Sequence, residues 1–510
     1  MMNQNARVPN VVLEDMTVTQ LEEKRLGCRS ILREFCLNTT AHGLPGIARS
    51  KTRHNRIFWS AAFIIFTGIM IFCLVKAVLA YFDYPTNIDT SIVSEWPQQF
   101  PAFSFCNVSP FRLDRLQDFF LNYSIVHNLT SVNNTAENQS HFQNIVKFIV
   151  NSLNKNESVE QLFYPLSSMM YSCTFNSVPC SASDFISFTS AAYGSCYTFN
   201  AKLRNITSPN ILYANDYGGD GKLSLGLYIH RHQYIPYIVN GFGMMALVHD
   251  NTQLPLIETA GIELAPGRRH KLGYRKKATY FLSSPYTKCT DKVPFSMQAM
   301  FENYNNADYL YSEALCYQLC GQVYTYEQCG CVSPLLWNSR TLYIPSINRV
   351  IFADLCDYDN SCYTKAIGGV LTSSSLMNDY CSECSQECLI RNFNVQTSSL
   401  SAPADWEMEY IKTFVENSSI PLPVNWNSTW YEQIHKNYLV INVVRETSIV
   451  ENNTQSAAIG TVDVLSNIGG QTGLWIGISF LSIMELIEVL YQLIRHEYYV
   501  IRTKIGIASQ

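Results

Sequence analysis

Two long apolar runs, one near each end of the chain, bracket a long stretch in which polar and apolar residues mix. The first covers residues 57–81 (IFWSAAFIIFTGIMIFCLVKAVLAY), and its only charge, Lys76, lies near the outer end, where a lysine can snorkel. The second covers residues 467–495 (NIGGQTGLWIGISFLSIMELIEVLYQLIR). At about 1.5 Å per residue, a helix over 467–494 reaches across a hydrocarbon core of roughly 30 Å, so both runs predict membrane spans. Polar residues interrupt the second run at Ser479, Ser482, Glu485, Glu488 and Gln492. At about 100° per residue the last four fall within an arc of about 120°. A carboxylate at membrane depth costs a few kcal/mol unless it meets water, a partner or an ion, so two acids on one face point to a hydrated path for cations. The upper half of this run carries Gly469, Gly470, Gly473, Gly477 and Ser479. Small residues let helices approach closely and let carbonyls line a narrow lumen; Gly473 and Gly477 also fit a simple G-x-x-x-G packing seam.

The charges flanking the runs set the topology. Arg49, Lys51, Arg53 and Arg56 precede the first run, and Asp83 and Asp89 follow it; Arg495, Arg502 and Lys504 follow the second. Basic flanks stay in the cytosol, which puts both termini inside. The expected organisation is a cytoplasmic segment 1–56, a span 57–82, an extracellular domain 83–466, a second span 467–494 and a cytoplasmic tail 495–510. Residues 1–56 carry acids and no early apolar run, so no cleavable signal peptide is expected.

Composition supports that arrangement. The chain has 510 residues, is 47% hydrophobic and has a net charge of -5, so it lacks the basic excess of a nucleic-acid binder. Of its 17 cysteines, Cys106, Cys173, Cys180, Cys196, Cys289, Cys316, Cys320, Cys329, Cys331, Cys356, Cys362, Cys381, Cys384 and Cys388 lie between the spans. A dense, even set in an oxidising compartment predicts disulfides. The Cys381/Cys384 pair has no nearby histidine, so zinc is not expected, nor is any cofactor. N-x-[ST] sequons at Asn107, Asn122, Asn128, Asn133, Asn138, Asn156, Asn205, Asn417, Asn427 and Asn452 are glycan acceptors if they face outward.

Between the spans the pattern is mixed α and β. Residues 100–108, 222–230 and 438–446 are rich in aromatic and β-branched residues and predict strands. Residues 140–153 and 308–328 predict helices, the latter with Cys316 and Cys320 one turn apart. Cys381, Cys384 and Cys388 repeat at i, i+3, i+7, also one helical face, and two helical faces with matching cysteines suit a ladder of crosslinks joining antiparallel segments. The Ser-rich stretch 397–403 is the best candidate linker.

Several short motifs occur in an order that resembles subunits of the degenerin/epithelial sodium channel family. They are His42-Gly43, FPAFSFCN (100–107), YGSCYTFN (193–200), the Tyr-Ile-Pro of 234–236, APG (265–267), the cysteine array and SNIGGQTGLWIGISFLSIMELIE (466–488). In character the chain is most similar to the invertebrate, FMRFamide-gated-like members. The resemblance implies an α+β membrane protein: two transmembrane helices and a disulfide-rich ectodomain of palm, β-ball, finger, thumb and knuckle, assembled as a homotrimer or a heterotrimer with sister subunits. The implied function is a sodium-selective, amiloride-blocked cation channel in the plasma membrane, not an enzyme. The family's selectivity triplet maps onto Gly477, Ile478 and Ser479, and its inner acids onto Glu485 and Glu488. A re-entrant gating segment maps onto His42 and Gly43, and the position where bulky residues hold such channels open maps onto Ser466. The implied disulfides are Cys106–Cys196, Cys173–Cys180, Cys289–Cys388, Cys316–Cys384, Cys320–Cys381, Cys329–Cys362 and Cys331–Cys356.

The agonist is read from departures from the family pattern. Acid-sensing members carry two acids before their Tyr-x-Pro, a histidine after the Tyr-Pro that follows the first span, and an aspartate on a palm strand. Here those positions hold His232 and Gln233, Thr86, and Asn442. Proton gating needs crowded carboxylates, and the crowd is thinned. An extracellular neuropeptide is therefore the expected opener, with acid gating or constitutive activity as the alternatives. Tyr213, Tyr217, Arg231, Arg268 and Arg269 offer aromatic and basic contacts but define no peptide site. Outside the family, a two-span ectoenzyme has only the Gly-rich turn 216–221 in its favour, with none of the usual phosphate or nucleophile motifs. A cargo-binding scavenger receptor has no need of acids inside a span, and an ATP-gated channel needs clustered lysines outside.

Overall fold

The computed structural model describes residues 28–117, 136–204, 211–214, 220–235, 239–302, 304 and 307–508. The chain forms two compact units, one from residues up to Asn87 together with Ala457 onward, the other from Ile88–Ser456.

The terminal unit is helical. Helix Arg53–Phe82 begins at an N-cap in which Thr52 accepts the Asn55 amide, and it is long and apolar enough to cross a membrane. The second apolar run differs from the sequence expectation of one helix over 467–494. It forms two helices, Thr461–Ile476 and Phe480–Ala508, bent by 72° at the three residues between them. The break has a local cause: Gly477 takes the left-handed conformation (φ 69°) and ends the upper helix, its amide bonding back to Gly473. The lower helix continues past 494 to Ala508, so the expected boundary between span and tail is not a structural boundary. The upper helix packs on Arg53–Phe82, where Phe66 stacks on Trp475 with centroids 6.0 Å apart. Two short helices, Cys28–Asn38 and Leu44–Arg49, precede the first long one.

The second unit is built on an eight-stranded sheet whose centre is strand Arg268–Tyr280. Along its whole length this strand pairs antiparallel with Leu389–Ser401. Its other edge pairs in parallel first with Tyr438–Arg445 and then with Ile449–Ala457. The sheet continues through Lys222–Tyr228 to Met170–Phe175. A five-stranded sheet runs in the order Phe185–Ser190, Gly194–Phe199, Ala102–Asn107, Met244–His249, Ile262–Leu264. Phe100, Phe103, Phe105, Phe199, Leu225, Tyr274 and Ile441 are fully or almost fully buried in one core that both sheets share. Burying each aromatic is worth roughly 1.5–3 kcal/mol.

The Ser-rich stretch 397–403 is no linker. Its residues to Ser401 form the end of a strand, in register with Arg268 to Leu272. Ladder bonds to a neighbouring strand outweigh the weak strand preference of serine.

A separate core gathers around helix Glu313–Cys329, where Leu315, Leu319 and Val323 pack with Val370 of helix Ser361–Thr372. Seven disulfides are formed: Cys106–Cys196, Cys173–Cys180, Cys289–Cys388, Cys316–Cys384, Cys320–Cys381, Cys329–Cys362 and Cys331–Cys356. Each closes off unfolded-chain freedom worth ~2–4 kcal/mol. Cys381, Cys384 and Cys388 do not share a helical face. The helix Ser374–Tyr380 ends before them, and the three sulfurs leave from a helix cap, the end of a turn and a bend between two strands.

Among the described residues, one sequon asparagine lies in the core. Asn107 is 1% exposed; its amide donates to Ile229 O at 2.9 Å and its carbonyl accepts from the Tyr234 hydroxyl. A glycan has no room there. Asn156, Asn417 and Asn427 are exposed and Asn452 is half-buried on a strand. Asn122, Asn128, Asn133 and Asn205, and the side chain of Asn138, lie outside the described residues, as do Tyr217 and residues 216–219 of the Gly-rich turn.

Candidate functional site: the broken helix and the segment beneath it

The triplet Gly477, Ile478 and Ser479 is the break itself. Ser479 caps the lower helix: Ser482 N lies 3.4 Å from Ser479 Oγ, and Ser479 N donates to Ser482 Oγ at 3.0 Å, a reciprocal arrangement like a capping box. The triplet thus joins the C-terminal end of one helix to the N-terminal end of another. A helix C-terminus presents carbonyls and a partial negative charge, which favours cations, and irregular backbone at membrane depth is tolerated only where protein or water satisfies it. Gly469, Gly470 and Gly473 of the upper helix face open space: a Cβ built on any of them meets nothing within 4 Å.

The N-terminal segment around His42-Gly43 lies against this break. His42 N donates to Ile476 O, the last carbonyl of the upper helix, at 2.6 Å. The His42 ring covers Gly477 so closely that a Cβ there would come within 2.7 Å of His42 Cδ2. Gly43 itself has φ 93° and sits against Phe63, while Gly46 sits against Trp59, so both glycines let the segment approach the first long helix.

The inner acids differ from one another. Glu485 accepts from Thr39 Oγ1 at 2.9 Å and from Thr40 N at 3.1 Å, with Thr40 Oγ1 a further 3.4 Å contact. Thr40 Oγ1 also lies 2.6 Å from Ser482 Oγ. Glu488 is exposed and accepts from Gln492 Nε2 at 3.2 Å. Ser466 is exposed on the upper helix. Thr39 and Thr40 as partners of Glu485 were not legible in sequence, because nothing in residues 28–50 has a spacing that signals a contact with a residue so far along the chain.

In the other unit, the positions weighed for gating are scattered and locally engaged. His232 bonds Pro421 O at 2.7 Å through Nε2, and burial holds its pKa below the usual histidine value. Gln233 accepts the Asp114 amide at 2.9 Å. Asn442 sits mid-sheet opposite Ser224 and Lys271. Arg231 stacks on Phe242, Arg268 donates to Ser399, Arg269 lies 3.9 Å from Glu407, and Tyr213 is exposed.

The same strand that centres the large sheet carries three consecutive cations, each paired with an acid. Arg275 bonds Glu446, Lys276 bonds both oxygens of Glu95, and Lys277 pairs with Glu451.

Comparison with known proteins agrees with this architecture. Residues 35–489 match the family model described as amiloride-sensitive sodium channel. The chain is 25% identical to acid-sensing ion channel 1 of Gallus gallus over 497 residues, covering 93% of this chain and 86% of that one. It is 22% identical to the epithelial sodium channel subunit alpha of Anolis carolinensis over 553 residues, covering 91% and 81% respectively. The chain belongs to the amiloride-sensitive sodium channel family, the degenerin/epithelial sodium channel family of the sequence resemblance. That family is one of cation channels, and the chain is a member of it.

Proposed function

We propose that this chain is one subunit of a trimeric, sodium-selective plasma-membrane channel, alone or with sister subunits, opened by an extracellular neuropeptide and blocked by amiloride. Helix Arg53–Phe82 is the first span and the bent pair Thr461–Ile476 and Phe480–Ala508 is the second. Both termini are cytoplasmic and residues 83–466 are extracellular. Three copies of the bent pair surround the path. The Gly477-Ile478-Ser479 backbone forms its narrow ring, and Glu485 and Glu488 supply negative charge on the inner side.

The observation that carries this reading is the break at Gly477. A glycine-ended helix inside an apolar run is costly in lipid and useful where backbone oxygens replace part of an ion's hydration shell. Peptide gating is supported by the thinned acids: the positions that acid-sensing members fill with two carboxylates hold His232, whose pKa burial lowers, and Gln233. One observation favours acid gating instead: the Glu313 carboxyl is pushed above its ordinary range by burial and by Glu387, which accepts the Glu313 amide at 3.0 Å. Recording from cells expressing the chain separates the two. Amidated peptides are expected to evoke an amiloride-blocked sodium current that acid steps do not; an acid-evoked current lost in Glu313→Gln would establish the second reading.

A further inference from the structure

We infer that His230 and His232 bind a late transition-metal ion, Zn2+ or one like it, between their Nδ1 atoms. The two rings belong to one turn. Strand Lys222–Tyr228 ends just before His230, which takes the left-handed conformation (φ 54°), and a single 3-10 turn follows over Arg231–Gln233. That turn is held on both sides: the Arg231 amide donates to Asn437 Oδ1 at 2.5 Å and the Gln233 amide to His230 O at 2.8 Å. The two imidazole centroids are left 5.9 Å apart. A metal ion about 2 Å from one nitrogen of each ring sets the centroids about 5–6 Å apart, so the spacing fits.

Each ring is already committed at its other nitrogen. His230 Nε2 lies 2.8 Å from Ser168 O, and His232 Nε2 lies 2.7 Å from Pro421 O. A carbonyl oxygen only accepts, so each Nε2 carries the hydrogen and each Nδ1 is left as a bare lone pair. Both Nδ1 atoms are buried, and among the described residues neither has a hydrogen-bond partner. A buried acceptor without a donor is costly, and here two occur in neighbouring rings. Metal-binding imidazoles are commonly set up in this way, with the N–H fixed on a backbone carbonyl and the second nitrogen free for the ion. Burial lowers both pKa values, to about 3 at His230, so protons compete weakly for these lone pairs.

The ligand type selects the ion. Imidazole nitrogen suits zinc, copper and nickel, whereas calcium and magnesium take oxygen. Among the described residues no cluster of three histidine, cysteine or acidic side chains is present, so two imidazoles and water make up the site, and micromolar affinity is expected. His232 is half-buried, which leaves an approach from solvent. Through the two Nε2 bonds the ion would fasten three segments: the turn, Ser168 of helix Leu166–Met169, and Pro421, which lies between helices Met408–Glu416 and Trp426–Asn437. A His-x-His spacing signals little by itself; the partners that leave both nitrogens bare are far from it along the chain.

The test needs no current. Full-length protein, purified in detergent and stripped with a chelator, is titrated with ZnCl2 alone. One Zn2+ per chain is expected to bind, and to raise Tm by about 3 °C or more at roughly a hundredfold excess over Kd, while CaCl2 and MgCl2 leave Tm nearly unchanged. His232→Gln is expected to weaken binding at least tenfold and to lose the rise. His435→Gln, which removes a histidine packed edge-on against Tyr431, is expected to keep both. Should His232→Gln fail to fold, X-ray absorption of the unsubstituted protein carrying one Zn2+ per chain decides, with two imidazole nitrogens expected at about 2.0–2.1 Å. Absence of stoichiometric binding, binding unchanged in His232→Gln, or a spectrum with fewer than two imidazoles overturns the site.

Discussion

The imidazole of His42 covers the α-carbon of Gly477, leaving only 2.7 Å between His42 Cδ2 and the place where a side chain at 477 would begin. With φ at 69°, Gly477 is also in the region where a Cβ costs about 1–2 kcal/mol. Gly477→Ala should therefore deform the break even if the protein reaches the cell surface. Reversal-potential measurements are expected to show reduced sodium preference. Adding His42→Ala should recover part of the loss, since it removes the collision but not the backbone strain.

A different kind of fastening operates in the large sheet. Lys276, 13% exposed on its side chain, bonds Glu95 at 2.9 and 2.8 Å, just beyond the strand Thr86–Ser94. Removing Lys276 takes two charge-assisted hydrogen bonds from the half-buried Glu95 carboxylate, at roughly 1–3 kcal/mol. Lys276→Glu is expected to lower the Tm of the solubilised full-length protein by a few degrees, and Glu95→Lys/Lys276→Glu to restore much of it. A Tm unmoved by Lys276→Glu would show that the pair contributes nothing.

Buried histidines make the folded ectodomain acid-labile. His249 is bonded to Ser104 at 2.8 Å and to Asp250 O at 2.9 Å, and burial pulls its pKa down to about 4; burial holds His230 at about 3. Both folded values lie below the ordinary 6.5, so the unfolded chain takes up these protons first. Stability is complete above about pH 6.5 and falls as pH drops toward about 4, by at most ~1.4 kcal/mol per pH unit for each histidine. The pH dependence of Tm between about 7.5 and about 4.5 is expected to flatten in His249→Gln. An unchanged slope would mean that His249 is protonated in the fold.

The sequons divide by burial. Peptide mass mapping before and after deglycosylation is expected to find glycans at Asn417 and Asn427 and none at Asn107. Asn107→Gln should leave glycan mass unchanged while lowering surface yield, because its amide bridges Ile229 and Tyr234. A glycan found on Asn107 would contradict the packing around it.

How much of this was legible depends on whether the signal was local. Helix Arg53–Phe82 and the strands near 102, 222 and 438 follow from apolar length and β-branched composition, which neighbouring residues determine. The break at Gly477 did not, since an apolar pattern runs unbroken from Leu474 to Met484 apart from small residues, and a left-handed glycine looks the same in sequence as a packing glycine. Cys381, Cys384 and Cys388 had helical spacing, but Tyr380 ends the helix and the sulfurs are placed by their partners. The serines of 397–401 read as a linker because their strand is defined by its neighbour Arg268–Leu272 and not by their own preference. Asn107 read as a surface acceptor for the same reason, its fate being set by Ile229 and Tyr234 far along the chain. Glu485 and Glu488 read as equivalent acids; only the fold shows that Thr39 and Thr40 bind one of them.

The central claim is that the Gly477–Ser479 break lines the ion path. Ser479→Cys, expressed with Ser466→Phe so that sodium current flows, tests it most directly by exposure to a thiol-reactive cation. The account predicts progressive loss of the amiloride-sensitive current in Ser479→Cys, slowed when amiloride occupies the path, and none in the parent that keeps Ser479. A reagent shown to label the thiol introduced by Ser479→Cys at the cell surface, while the current continues unchanged, would contradict it.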